Sequence, residues 1–269
     1  DKDGTLIYLY ANNVDEQYSY IEAAKSKGYN VLLMDGQLDI AVVNLLEQKL
    51  EKCRFTRVDS DIIDNLITKE DKRGDALEPD KQEILSVMFK SQLPKLDKAE
   101  FHITAESLGE NAFPIMITQS EYMRRMKEMS NIQSGMGFYG EMPDMFNLIL
   151  NSDHQLVKDI LESESNECSD SIIPIQKELD ETDARCKDLR KSHESKKSTE
   201  VPAEENDELK ELDKQLTALK QQKETILKEF ASKNKVIRQL IDLALLQNGM
   251  LKGEALNNFL KRSIELINQ

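Results

Sequence analysis

Cysteine and histidine are both scarce, with three of each in 269 residues. Cys53, Cys168 and Cys186 are widely spaced and form no Cys-x-x-Cys pair, so no disulfide framework is encoded. Reduced thiols of a cytosolic protein are the expectation. His102, His154 and His193 have no Cys or His partner at metal-ligand spacing, which argues against zinc. No run of 18 apolar residues exists, which leaves no membrane-spanning helix. No charged-then-apolar leader opens the chain. Surplus positive charge is missing too: 50 acidic against 36 basic residues give a net charge of −14. Phosphate backbones need a basic surface, which argues against a general nucleic-acid binder. Gly-x-Gly-x-x-Gly, the Gly-rich Lys-Ser/Thr phosphate loop and Gly-x-Ser-x-Gly are all absent, so neither a phosphate cradle nor a nucleophile elbow is supported.

What is present is more polar than an average domain, 39% hydrophobic and 32% charged, so some segment must be mostly solvated. The length suits two ordinary domains. The chain opens at Asp1 rather than Met and enters strand-like sequence almost at once, which reads as a piece of something longer. Thr5–Ala11, Tyr29–Met34 and Arg54–Val58 are short apolar runs that predict strands. Asp15–Lys27, ending at Gly28, and Leu38–Leu50, with Leu38, Val42, Leu45, Leu46 and Leu50 on one face, predict helices between them. That alternation implies a parallel sheet covered by helices. A polar stretch over 60–80 marks a boundary. Beyond it, Glu78–Lys90 predicts a helix with Ile84, Leu85, Met88 and Phe89 inward. Phe101–Thr104 and Phe113–Ile117 predict strands flanking a Gly-Glu-Asn turn, and Met145–Leu150 a further strand. Asp153 is placed to cap a helix reaching about Leu161.

Between Leu161 and Lys235, 33 of 75 residues are charged, and no glycine occurs from Gly140 to Gly249, which favours long helices. Ile172, Ile175, Leu179, Cys186 and Leu189 follow a 3-4 spacing. It returns in Leu209, Leu212, Leu216, Leu219, Ile226 and Phe230. So narrow a seam suits a two-stranded coiled coil. Ser192–Asp207, with Pro202, breaks it. The expectation is an antiparallel helical hairpin, with a charged, partly disordered insert as the alternative. Two more amphipathic helices follow. Asn234–Gln247 carries Ile237, Leu240, Ile241, Ala244 and Leu245 on one face, which Leu243 and Leu246 widen. Glu254–Ile267 carries Leu256, Phe259, Leu260, Ile264 and Ile267. Such helices can pack on their own domain or form a four-helix bundle with a second copy.

Two motifs invite chemistry. Asp1-Lys2-Asp3-Gly4-Thr5 resembles the nucleophile motif of haloacid-dehalogenase-type phosphatases, but here the apolar strand follows the motif instead of preceding it. A charged turn entering a strand explains it equally. Asp35 and Asp39 read as turn and cap residues. The second motif is methionine: seven of ten lie between residues 116 and 145. Ser120–Asn131 predicts a helix with Tyr122, Met123, Met126 and Met129 at near-helical steps. Gly135, Gly137 and Gly140 follow in a loop that carries Met136, Phe138 and Tyr139 and is expected to be mobile. Methionine adapts to many apolar shapes and serves surfaces with varied partners. A buried stripe fits the spacing as well, whereas the glycine-rich loop argues for exposure.

Tyr29–Asp39, Asn151–Val157, Ala244–Leu246 with Gly249, and Phe259–Arg262, taken in that order, resemble segments in the C-terminal half of bacterial members of the heat-shock protein 90 chaperone family. Tyr29-Asn-Val-Leu-Leu-Met-Asp-Gly-Gln-Leu-Asp39 is similar to a strand-turn-helix near the end of the family's middle domain, where the turn is usually Asp-Pro-Ile-Asp. Asn151-Ser-Asp-His154-Gln-Leu156-Val157 resembles its Asn-Pro-x-His-Pro-Leu segment, with both prolines replaced. Ala244-Leu245-Leu246, Gly249 and Phe259-Leu260-x-Arg262 resemble its last two helices. The resemblance covers 1–160 and 234–269. It leaves 164–233 as an inserted helical hairpin.

The resemblance implies a small three-layer α/β subdomain over 1–70, the end of a middle domain. It implies a mixed α+β C-terminal dimerisation domain over 78–269, interrupted by the antiparallel coiled-coil hairpin. It also implies a cytoplasmic, ATP-dependent chaperone whose ATP and magnesium sites lie upstream, so this piece is expected to have no cofactor and no enzymatic activity. The implied partners are a second copy, joined through Ile237, Leu240, Ile241, Ala244, Leu245, Leu256, Phe259, Leu260, Ile264 and Ile267, and partly folded clients. Clients would meet Tyr122, Met123, Met126, Met129, Phe138 and Tyr139. Neither nucleic acid nor membrane is expected as a partner. The residues alone leave two other readings open, a coiled-coil adaptor and a phosphatase using Asp1 and Asp3.

Overall fold

The computed structural model describes residues 1, 3–36, 38–67, 77–132, 143–194 and 203–267. They divide into two compact units that are discontinuous in sequence. The first comprises Asp1–Glu78, Leu93–Val157 and Gln239–Gln269; the second comprises Pro79–Gln92 and Lys158–Arg238.

The first unit opens with β1 (Leu6–Ala11), α1 (Tyr18–Ser26), β2 (Val31–Leu33), α2 (Asp39–Lys49), β3 (Cys53–Arg57) and the short α3 (Ile63–Leu66). The three strands are parallel in the order β2-β1-β3, as the alternation predicts. β1 lies between its neighbours and is covered on both faces, hence its unbroken apolar run. Leu9 and Ala11 face one way, into a core with Tyr20, Ile21 and Ala24 of α1. Tyr10 faces the other way, with Val43 of α2 and Phe55 of β3. α1 ends where expected. Gly28 takes φ +80°, and the N–H of Tyr29 reaches back to the Ala24 carbonyl at 3.1 Å, the bond that closes a left-handed cap.

α2 departs from expectation. Its inward residue is Val43, while Leu38, Val42, Leu45 and Leu50 of the expected apolar face are exposed. Periodicity located the stripe but could not say which neighbour it meets.

β4 (Ala99–Glu106), β5 (Ile115–Gln119) and β6 (Asp144–Asn151) form a second sheet in the order β4-β6-β5. β4 and β5 flank the Gly-Glu-Asn turn, as expected, but do not pair with each other. Instead β6 lies between them, parallel to β4 and antiparallel to β5. Met116 of β5 and Ile149 of β6 join Leu9, Ala11 and α1 in one core, so the two sheets share their apolar interior. Asn151, fully buried, explains the loop between β4 and β5. Its Oδ1 accepts the Leu108 N–H at 3.2 Å and its Nδ2 donates to the Gly109 carbonyl at 2.9 Å. Asp153, the expected cap of the following helix, also braces that loop: its carboxylate accepts from Ser107 Oγ at 2.7 Å and the Gly109 N–H at 2.8 Å, while His154 Nδ1 accepts the Leu156 N–H at 3.1 Å in the first turn.

In the second unit α4 (Pro79–Gln92) starts on proline, whose missing N–H is harmless at that position. Leu85, Met88 and Phe89 are fully buried. Next come α6 (Gln155–Glu194) and α7 (Ala203–Lys233). The helix expected to end near Leu161 runs on through Pro174 as one 40-residue element, about 60 Å at ~1.5 Å per residue. The helices also reach further into 192–207 than expected, and 195–202 lies outside the described residues. Ion pairs Arg190–Asp213 (2.7 Å), Arg185–Glu208 and His193–Glu205 (3.2 Å) join α6 to α7 in antiparallel sense. Ile172, Leu179 and Cys186 are buried along α6, and Leu212, Leu219, Leu227 and Phe230 along α7. Ile175, Leu189, Leu209 and Leu216 of the expected seam are half-buried, and Leu227 is buried where Ile226 was expected. Lys223 is buried as well, and its Nζ donates to Glu83 of α4 at 2.9 Å and to Gln176 at 2.8 Å. No helix among the described residues is long and apolar enough to cross a membrane.

Candidate functional site

Two surfaces bear on the expected roles. The first is α5 (Glu121–Ile132), which follows directly from β5. A buried ionic network anchors its first turn. Glu121 Oε1 accepts from Tyr10 Oη at 2.9 Å, from Arg124 Nη2 at 2.7 Å and from Arg125 Nε at 2.6 Å. Arg124 Nη2 also donates to Tyr10 Oη at 2.6 Å. Arg125 reaches Glu47 Oε2 and the Phe55 carbonyl, each at 2.7 Å. A single carboxylate thus fastens the helix to β1, and its arginine neighbour fastens it to α2 and β3.

Burial pushes the Glu121 carboxyl up, but the guanidinium groups of Arg124 and Arg125 outweigh it and hold the group below the usual carboxylate range. Burial first, and the Glu121 charge second, push Tyr10 up to about 12. Nothing in the sequence pattern announces this network, because Tyr10 and Glu121 are 111 positions apart. The one signal was the acidic residue opening a helix, Glu121, followed three and four positions later by arginine.

Beyond that anchor Tyr122 is 69% exposed. Met123 and Met126 are half-buried, lining a shallow depression with Pro143 and Met145. Lys127 closes one side through an ion pair with Asp144 at 2.7 Å. The methionines are therefore neither core nor fully free. Met129 lies on α5, and Phe138 and Tyr139 fall outside the described residues.

The second surface belongs to α8 (Lys235–Gln247) and α9 (Gly253–Ile267). Asn234 caps α8 through its Oδ1, which accepts the Val236 N–H at 3.0 Å. Gly249 at φ +66° ends the helix, with the Met250 N–H bonded to the Leu245 carbonyl at 2.8 Å. α9 folds back along α8. Gln239 donates to Ser263 Oγ at 2.6 Å, and Arg262 pairs with the buried Asp242.

The ten residues expected to join two copies therefore divide. Ile237, Leu240, Ile241, Ala244, Leu245 and Phe259 are buried within this chain, and Leu256 is half-buried. Leu260 at 50%, Ile264 at 60% and Ile267 at 82% stand exposed on α9, one helical row at steps of four and three. Leu243 and Leu246 of α8 are also exposed.

The phosphatase-like motif forms a turn. Asp1 Oδ1 accepts the N–H groups of Asp3 (3.0 Å) and Thr5 (2.8 Å), and β1 follows. Among the described residues no group of three His, Cys, Asp or Glu side chains could hold a metal ion.

No family model matches the chain. Individual relatives do. It is 68% identical over 267 residues to the chaperone protein HtpG of Bacteroides fragilis and 66% identical over 267 residues to that of Bacteroides thetaiotaomicron. It is 43% identical over 272 residues to the chaperone protein HtpG of Porphyromonas gingivalis. Each match takes in 99% of this chain and 39% of the relative. Coverage that full includes 164–233, so the stretch set apart above as an insertion is shared with these relatives.

Proposed function

Because the chain is homologous along its whole length to part of the HtpG chaperones, we propose that it supplies the subunit-joining and client-contacting portion of such a chaperone. The reading rests on the 66–68% identity to the Bacteroides proteins, which spans nearly every residue. In this reading the exposed row Leu260, Ile264 and Ile267 meets its equivalent on a second copy. An isologous contact of this kind buries each patch against itself. The buried face of α8 serves as the floor on which α9 rests. Joining two subunits raises the effective concentration at which the remainder of each chain meets its twin. Tyr122, Met123 and Met126 offer clients an adaptable apolar patch, held in place by the Glu121 network. ATP binding and hydrolysis belong to the part of the relatives that this chain does not span. The protein acts in protein folding under stress, in the cytoplasm.

Sedimentation of the 269-residue chain tests the first half. The parent is expected to be a dimer, and Leu260→Lys with Ile264→Lys a folded monomer. A parent that stays monomeric at concentrations well above those of an obligate dimer overturns the reading. Prevention of aggregation of a denatured protein tests the second half. Met123→Ser with Met126→Ser should weaken holding and leave melting little changed. Holding that instead disappears on excision of 165–232 would assign client contact to the long helices, as the adaptor reading requires.

A further inference from the structure

A cleft of about 680 Å³ opens at the carboxyl ends of the parallel strands β1 and β3. All of its lining residues belong to the first compact unit. Its position follows from topology. In the order β2-β1-β3 the chain leaves β1 toward one neighbour and returns on the other side. The loops after β1 and β3 therefore diverge, and a crevice forms where they part. Open α/β sheets bind ligands at such switch points. Here the end of β5, the start of α1 and the turn between α8 and α9 complete the walls. The volume falls within the roughly 300–1,000 Å³ of small-molecule sites.

The walls are fixed before any ligand arrives. Gln17 Oε1 accepts the N–H groups of Asn12 and Asn13 at 2.9 and 3.0 Å. The Gln119 N–H donates to the Asp59 carbonyl at 3.2 Å. Tyr20 Oη donates to the Ile117 carbonyl, tying α1 to β5. A rigid site loses less on binding than one that must be ordered.

The lining chemistry is specific. Four ionised side chains border the cleft: Glu16, Arg57, Asp59 and Lys252. Arg57 and Asp59 satisfy each other through two bonds, at 2.5 and 2.9 Å. That leaves Glu16, on the α1 wall, and Lys252, on the α8–α9 turn. Among the described residues neither side chain has a hydrogen-bond or ion-pair partner. The cleft thus presents one negative and one positive group on different walls, with the carboxamides of Asn12 and Gln247 also along it. Thr118 also lines it. Its Oγ1 is buried and finds no hydrogen-bond partner among the described residues. A lone anion would meet Glu16 and Asp59, a lone cation Arg57 and Lys252. A molecule carrying both charges is complementary to the arrangement.

We propose that this cleft binds a small zwitterion, an amino acid or short peptide with free ammonium and carboxylate ends. Glu16 receives the ammonium and Lys252 the carboxylate, while the amide side chains meet the peptide groups between. The inference does not depend on the chaperone reading, and its failure would leave the sedimentation test untouched.

Triglycine is the probe, titrated into the 269-residue chain by calorimetry and by amide NMR. Triglycine should bind and shift the Thr118, Gln119 and Asn248 resonances. N-acetyl-triglycine and triglycine amide should each bind at least about tenfold more weakly. Glu16→Gln should remove the penalty for acetylation alone, and Lys252→Gln the penalty for amidation alone. Both side chains are exposed, so both variants should melt with the parent, and that is to be checked. No binding at about 10 mM triglycine, or equal binding of the capped peptides, overturns the proposal. So does a neutral disaccharide that shifts these resonances where triglycine does not.

Discussion

Replacing Glu121 with alanine removes the acceptor on which Tyr10, Arg124 and Arg125 converge. Glu121 and Arg124 are 7% and 5% exposed, so solvent cannot take the lost partner's place. Breaking a buried pair by deleting one member typically costs about 3–5 kcal/mol, because the remaining charge stays desolvated. For a unit of this size each kcal/mol lowers the melting temperature by about 2–4 °C, which gives a fall of roughly 6–20 °C. The comparison variant is Glu22→Ala, which breaks the exposed Lys25–Glu22 pair. Exposed pairs contribute only about 0–1 kcal/mol. Calorimetric melting of the two variants beside the parent decides the matter. Acid should mimic the substitution. The folded Glu121 carboxyl sits below its ordinary range, so its stabilisation is present above the ordinary glutamate value and is lost as pH falls through the depressed one. If Glu121→Ala melts no lower than Glu22→Ala, the network does not anchor α5.

Tyr10, with its hydroxyl held up at about 12, should stay protonated after an unfolded tyrosine has ionised. The unfolded chain then loses its proton first, so stability falls between about pH 10 and pH 12; Tyr10→Phe should flatten that part of the profile in alkaline melting experiments. Leu227 is fully buried and Ile226 only half-buried, so Leu227→Ala should cost about 2–5 kcal/mol. Ile226→Ala should cost clearly less, and the reverse order in denaturant unfolding would mean that α7 is turned differently. Asn151→Ala leaves the Leu108 N–H and Gly109 carbonyl without their partner and should cost about 1–3 kcal/mol. Hydrogen exchange should quicken first in 108–112, and uniform exchange there would contradict the bracing role.

Much of the architecture follows from local pattern. Short apolar runs bounded by turn residues announced the six strands found among the described residues, and Gly28 announced the end of α1. The glycine-free charged stretch announced α6 and α7. Of their 3-4 spaced residues, Ile172, Leu179, Cys186, Leu212, Leu219 and Phe230 are buried, whereas Ile175, Leu189, Leu209, Leu216 and Ile226 are half-buried and Leu227 takes an inner place that was not expected. Such features depend on residues within one or two turns of each other, which a sequence displays directly. The candidate surfaces were only half legible. The row on α9 was visible as a stripe and is exposed, but the stripe on α8 looked alike and proved to be buried.

The sequence by itself determined the type and order of the elements, because backbone period and turn chemistry act over a few residues. Only the tertiary structure decided which stripe found a neighbour, that β6 enters between β4 and β5, and that Tyr10 meets Glu121. It also buried Lys223 and gathered Glu16, Thr118 and Lys252 around one cleft. Each of these depends on groups far apart along the chain. Burial, charge pairing and the desolvation that makes them matter are properties of what comes to lie beside a residue.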